Sequence, residues 1–328
     1  MKKLALVTPL ILCLILSGCN FTRSRVKNTY FALDTVITTE IHGKDAMDVD
    51  GWIFSDINTI GAVLDAEALP TGFVSKDAEH VYPLLRFSMF VSRLTGGAFD
   101  VSVGGYVEAW GFSDKNYRIP TTAELDEIKA KSGYGLITET NDGYRLPDGC
   151  KITFGAIAKG YIADIIYHRL ETGDIDKAII SLGGNVIAYG KDGDDPWKVG
   201  IESPSGDGSC AAVLDLTDCF AITSGDYHRN FTQDGKTYHH IIDPATGCPA
   251  ESDLRSVTIV GKSGTLADAL STALFVMGSE KAAQLWQSGA AEFDFVMITK
   301  SGEMLVSQGL EGLIHDVADG YTLSIVKK

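Results

Sequence analysis

The sequence lacks most of the signatures from which a function is commonly read. No Cys-x-x-Cys pair and no cysteine–histidine ligand spacing occurs, which argues against a zinc site. Neither Gly-x-Gly-x-x-Gly nor the P-loop pattern is present, so dinucleotide-fold and P-loop readings have no support. Positive charge is scarce: 28 lysines and arginines stand against 43 acidic residues, for a net charge of −15. Such a surface repels nucleic acid, and any bound anion needs a locally positive pocket or a metal. Beyond the first residues no run is long and apolar enough to span a bilayer. Low-complexity linkers and evident internal repeats are missing as well.

What is present begins at the N-terminus. Lys2 and Lys3 lead an apolar run, Leu4 to Leu16, too short for a spanning helix and suited to an export signal. It ends in Leu16-Ser17-Gly18-Cys19, which resembles the lipobox of bacterial lipoproteins. That resemblance implies a signal peptide over 1–18 and lipidation of Cys19, and hence an extracytoplasmic protein anchored to a bacterial membrane. Residues 19–28 are polar and basic and read as a tether, leaving 29–328 as one large domain. Of the cysteines beyond the signal and anchor, Cys210 and Cys219 are placed to close a hairpin-like loop, although a domain of this size needs no staple.

Patterning in the domain mixes both periods. Tyr30 to Ile41 alternates as a strand, and Ile53, Ile57, Ile60 and Leu64 keep helical spacing. A second helix is expected over about 78–94, and Thr121 with Glu124 forms a capping box for a short charged helix. From Lys151 the pattern runs strand, helix, strand to a glycine turn. Short strands follow to Gly261, then two helices divided before Ser279, and three closing strands near 293–299, 302–307 and 321–326. Without strict βαβ alternation, this reads as α+β: layered mixed sheets with helices, in two lobes around one cleft.

Several stretches carry chemistry. Thr265 to Phe275, TLADALSTALF, reads as a buried helix, yet Asp268, Ser271 and Thr272 sit at i, i+3 and i+4 on one face. Thr153 to Asp164, TFGAIAKGYIAD, opens a helix whose free N–H groups and Lys159 suit an anion. Gly96 to Phe112 sets Asp100 between glycine turns, with Tyr106 and Trp110 as flat apolar surfaces. Ser181 to Val186, SLGGNV, is a tight strand exit. Ser224–Phe231 and Tyr238–Pro249 bring His228, His239, His240 and Asp243 into one β-rich region. Singly each has a plain structural reading: a β-turn for Asp243, a surface position for His228 and a solvated first turn for Lys159.

In their order, GAFDVSVG, FGAIAKGYIAD, SLGGN, HHIIDPATGCP and ADALSTA closely resemble the ApbE family of FAD:protein FMN transferases, from about Tyr30 to the C-terminus. The resemblance implies a T-fold-like catalytic domain and a Mg²⁺ ion held by Asp268, Thr272 and the Ala156 carbonyl, with Ser271 a weaker candidate. It places Leu33, Ala98, Phe99, Asp100, Thr153, Lys159, Ile242 and Asp243 along bound FAD. Asp34 stands where the family commonly has glycine. The implied reaction moves FMN from FAD to a threonine or serine hydroxyl of an exported flavoprotein, of the Nqr or Rnf type or another, and releases AMP. A base must take the hydroxyl proton, and His240 is the choice, with His239 the alternative on the opposite side of a strand. Two rival readings share the pocket: an FAD pyrophosphatase, and a non-catalytic flavin-binding lipoprotein.

Overall fold

A computed structural model describes residues 24–65 and 69–328. The signal peptide, Cys19 and residues 20–23 of the tether lie outside the described residues. Residues 24–28, also read as tether, instead open the first strand, β1 (Ser24–Ala32). Asn28 is tied into the fold, donating to Asp50 at 2.5 Å, and Thr39 donates to the same carboxylate at 2.6 Å.

The single strand expected over Tyr30–Ile41 is a hairpin. β1 turns at Leu33 and Asp34 into β2 (Thr35–Gly43), with Ala32 opposite Thr35. Both turn residues have positive φ, 52° and 56°, the two-residue geometry that matches strand twist. Asp34 thus adopts the backbone that a glycine would take. Leu-Asp lacks the Asn-Gly chemistry that announces such turns, so the sequence showed no break.

Helix α1 (Ala46–Leu64) buries Ile53, Ile57, Ile60 and Leu64, the stripe its spacing predicts. A small sheet joins β3 (Phe73–Ser75), β4 (Thr138–Thr140) and β5 (Gly143–Arg145). Between them lie α2 (Val81–Leu94), α3 (Gly104–Ala109) and α4 (Thr122–Lys129), the last with both halves of its capping box formed. Residues 151–154 are not the expected strand but a loop leading to α5 (Ala158–Thr172).

Strands β6 (Ile175–Leu182) and β7 (Asn185–Tyr189) follow, then β8 (Trp197–Glu202), β9 (Cys210–Leu216) and β10 (Cys219–Gly225). A hairpin of β11 (Asn230–Gln233) and β12 (Lys236–His239) precedes β13 (Leu254–Gly261). The two helices expected next meet at Gly278, whose φ of 78° kinks α6 (Gly264–Gln287). β14 (Asp294–Thr299), β15 (Glu303–Ser307), β16 (Ile314–His315) and β17 (Thr322–Val326) close the chain.

Nine strands form one mixed sheet in the order β1-β2-β6-β7-β10-β13-β14-β15-β17. One face packs its Ile37, Ile41, Ile180, Leu182, Ile187 and Ile222 against the apolar sides of α1, α5 and α6. The other face, with Ala188, Ala221, Val296 and Met304, meets Trp197, Val199 and Leu214 of the sheet β16-β9-β8. The fold is therefore the layered α+β class expected: helices, large sheet, small sheet. Cys210 and Cys219 carry free thiols, because they open strands of different sheets.

Candidate functional site

The site is organised by the crossing of α5 and α6 near their N-termini. A Cβ added to Gly160 would lie 2.2 Å from the Gly264 carbonyl oxygen and 2.5 Å from Asp268 Cβ, and one on Gly264 would lie 2.6 Å from the Gly160 carbonyl oxygen. Only glycine on both sides lets the backbones touch. Each helix then lends a carboxylate to the other. Asp164 accepts from the N–H groups of Gly264 at 2.6 Å and Thr265 at 2.8 Å, and from the Thr265 hydroxyl at 2.5 Å. Asp268 Oδ2 accepts from the Gly160 N–H at 2.8 Å. Both carboxylates sit where the helix dipole and unpaired donors favour negative charge. Gly160→Ala should force this crossing apart and cost about 3 kcal/mol of stability, measurable by urea unfolding.

Asp268 thus has a structural task that the sequence did not show. Its environment nevertheless leaves oxygens uncommitted. The carboxylate is 4 % exposed, and Oδ1 accepts no hydrogen bond from the described residues. The Gly160 N–H, which a regular helix would give to Ala156, goes to Asp268, and the Ala156 carbonyl receives no hydrogen bond among the described residues. One turn along α6, the Ser271 hydroxyl donates to the Asp268 carbonyl at 2.8 Å and pairs with Ser224 Oγ at 2.7 Å. Thr272 Oγ1 lies 3.2 Å from the same Ser224 oxygen. Ser271 is fully buried with its hydroxyl engaged, while Thr272 is partly open.

Among the described residues no group of three His, Cys, Asp or Glu side chains is arranged to hold a metal. The donor set here is of another kind: one carboxylate, one free carbonyl and one hydroxyl, all hard oxygens. That composition fits Mg²⁺, which takes few protein ligands and completes its octahedron with water and phosphate.

Lys159, in the first turn of α5, is close enough for its charge to act on both His228 and His240. His240 Nδ1 lies 3.2 Å from the Arg229 carbonyl oxygen. A carbonyl accepts only, so Nδ1 carries the proton and Nε2 keeps its lone pair. Burial, followed by the charges of Arg229 and Lys159, holds this imidazole below its ordinary range, so it is neutral at neutral pH. His239 is used differently. Its Nε2 donates to the Ala250 carbonyl at 3.1 Å, and its ring packs edge-on against Phe275 of α6 at 5.4 Å. His228 lies tilted against Tyr227, with ring centroids 4.2 Å apart, and stands 3.9 Å from Glu202.

The remaining candidates divide. Leu33 packs over Gly61 of α1, and the turn it opens adjoins the Gly183 turn through Thr35. Thr153 lies beside the Asp100 loop, its N–H donating to the Val101 carbonyl at 2.8 Å. Ala98 is half-buried, whereas the Phe99 side chain is in the core. Asp100 spends both oxygens internally, on the N–H groups of Ser102 at 2.8 Å and Tyr134 at 2.6 Å, and burial raises its pKa against those bonds. Asp243 closes its own turn, accepting from Ala245 N–H at 2.9 Å and the Thr246 hydroxyl at 3.2 Å. Ile242 is buried with Tyr106, Trp110 and Phe112, so those two rings are core rather than the open flat surfaces expected.

A model of the ApbE family matches residues 54–297, most of the chain and all of the α5–α6 crossing. The chain belongs to the ApbE family. It is 38% identical over 223 residues to a protein of Treponema pallidum named FAD:protein FMN transferase, a match covering 62% of each chain. A protein of Escherichia coli K12 with the same name is 32% identical over 271 residues, covering 78% of this chain and 75% of its own. The crystal structure of the ApbE protein of Thermotoga maritima superposes with a TM-score of 0.80 at 29% identity, over 88% of this chain and 99% of that one. The flavin transferase ApbE of Vibrio cholerae shares the fold, with a TM-score of 0.77 at 24% identity, over 89% and 99%.

Two residues of this ApbE site escaped the sequence reading. Ser224 bridges β10 to Ser271 and Thr272, a contact between segments far apart in the chain. Asp164 caps α6, and a signal for it existed: Gly160-Tyr-Ile-Ala-Asp164 and Gly264-Thr-Leu-Ala-Asp268 share one spacing. Five residues are too few to count as a repeat until the two helices are seen to cross.

Proposed function

We propose that this protein is a magnesium-dependent FAD:protein FMN transferase whose acceptor is a threonine or serine hydroxyl of an extracytoplasmic flavoprotein, of the Nqr or Rnf type or another. The observation that carries the reading is the α5–α6 crossing, where one buried carboxylate with a free oxygen adjoins a free carbonyl and a hydroxyl, in a chain that also supplies a neutral histidine near Lys159. Asp268, Thr272 and the Ala156 carbonyl would hold Mg²⁺, with Ser271 set back as a supporting contact. The ion, when bound, supplies neutralisation of charge on the pyrophosphate.

The protein's own groups do the rest. Lys159, whose backbone N–H is the first-turn donor of α5 with no acceptor among the described residues, receives phosphate oxygens. The Leu33 turn, the Ala98–Asp100 loop and Thr153 border the dinucleotide, and Ile242 with Asp243 shapes its wall. His240 Nε2 takes the proton of the acceptor hydroxyl. That oxygen bonds to the phosphorus on the riboflavin side, the bond to the bridging oxygen breaks, and AMP leaves. FMN remains on the acceptor as a phosphoester. The Leu16–Cys19 lipobox would lipidate Cys19 and hold the enzyme at the outer face of a bacterial membrane, and no described helix is long and apolar enough to cross one.

The test mixes the protein with FAD, Mg²⁺ and a purified acceptor domain, and weighs the acceptor. An acceptor heavier by one FMN, with AMP released in equal amount, is the expected result. Free FMN with AMP and an unmodified acceptor identifies a pyrophosphatase. Intact FAD leaves only flavin binding.

A further inference from the structure

The SLGGN turn has no part in the chemistry above, and it contains a buried polar side chain with an unpartnered donor. Asn185 is 1 % exposed, yet its amide nitrogen is buried without a hydrogen-bond partner among the described residues. A buried, unpaired amide donor is costly, and one kept in a native fold calls for a reason. Its position says which partner. Asn185 opens β7, opposite Leu182 of β6 and Ile222 of β10. The alternation that sends Ile187 into the helix-side core points Asn185 the same way, to the face on which α5 lies over β7. Two residues beyond Ile222 on that face is Ser224, the hydroxyl that reaches Ser271 and Thr272.

The approach is also prepared. Gly183 presses so closely on Thr35 that a Cβ there would lie 2.1 Å from Thr35 Oγ1, which locks this turn to the Leu33–Asp34 hairpin. Beside Gly184, at φ 97°, the space is open: nothing lies within 4 Å of where its side chain would be. Asn185 therefore stands between the hairpin turn and the oxygen cluster, at the edge of open space.

We propose that Asn185 recognises the substrate, its planar amide pairing with a ring edge that offers an acceptor and a donor side by side. This rests on the transferase reading above. FAD has two such edges, the pyrimidine side of the isoalloxazine and the amino side of adenine, and both present the same chemistry to an amide.

Binding of FAD, FMN and ADP should be titrated by calorimetry on the wild type, Asn185→Ala and Asn185→Asp, together with the melting temperature of each protein without ligand. Asn185→Ala is expected to bind FAD about tenfold more weakly or worse, the loss of one well-made pair of hydrogen bonds. The loss should reappear with FMN alone if the flavin edge is read, or with ADP alone if adenine is. In turnover, KM for FAD should rise while kcat holds. The unliganded variant should melt no lower than the wild type, because removing an unpaired amide relieves the free protein. Asn185→Asp, which keeps the shape but loses the donor, guards against a packing defect in the alanine variant and should also bind FAD more weakly. FAD affinity unchanged in both variants overturns the proposal. So does a lowered melting temperature with FMN and ADP weakened alike, which marks a framework role. A wild type that does not bind FAD would instead defeat the transferase reading itself.

Discussion

Asp268→Asn should fold normally and lose FMN transfer by about 10³-fold, the equivalent of roughly 4 kcal/mol of lost charge stabilisation. The observed cap and the proposed metal site ask different things of Asp268, which makes this variant decisive. As a cap, it needs only an acceptor for the Gly160 N–H, which it meets at 2.8 Å, and the asparagine carbonyl oxygen serves there nearly as well. As a metal ligand, it needs the negative charge, which asparagine lacks. Asp268→Ala removes both, and should add a stability loss of about 1–2 kcal/mol to the loss of activity. The comparison is read from acceptor mass in a timed reaction, beside urea unfolding of both variants. Transfer at the wild-type rate by the folded asparagine variant would show that the carboxylate is only a cap, and the magnesium reading would fall.

His240→Gln should slow transfer by about 10²–10⁴-fold while leaving FAD affinity within a small factor of wild type. The imidazole offers its Nε2 lone pair because Nδ1 is committed to the Arg229 carbonyl, 3.2 Å away. Glutamine puts a neutral amide where Nε2 stands and cannot accept a proton there. The same variant has a signature in stability. Burial first, then Arg229 and Lys159, keep the folded pKa below the ordinary 6.5. The unfolded chain therefore binds more protons once pH falls below that value, so the contribution is complete above it and is lost as pH drops toward the folded value. Since glutamine does not titrate, the acid-side decline between about pH 6.5 and about pH 3 should become shallower. Part of the decline will persist, because burial lowers His228 and His239 too. An unchanged rate in His240→Gln would remove the residue from the proton transfer.

Much of the architecture was legible because period and capping are local. The stripe Ile53, Ile57, Ile60, Leu64 marked α1, and Thr121 with Glu124 marked the start of α4. The first hairpin was not legible. Leu33 and Asp34 carry no turn chemistry of their own, and their positive φ is imposed by pairing of β1 with β2. The resemblance places Asp100 and Asp243 along FAD, and only the structure shows that both carboxylates also accept nearby N–H or hydroxyl donors. Side-chain direction in a loop depends on which neighbour arrives, and composition does not record that.

By itself, the sequence determined the class of the fold, the oxygen-bearing face of α6 and the family, since each is written in residues close together or in a fixed order along the chain. Only the tertiary structure decided that Asp268 caps α5 with one oxygen and leaves the other without a donor among the described residues, that His240 holds its Nδ1 at the Arg229 carbonyl while His239 spends its Nε2 on Ala250, and that Ser224 and Asn185 lie on one face of the sheet. Those facts depend on contacts between β7, β10, α5 and α6. No local rule specifies contacts across such separations, and packing fixes them only when the sheet and helices close on one another.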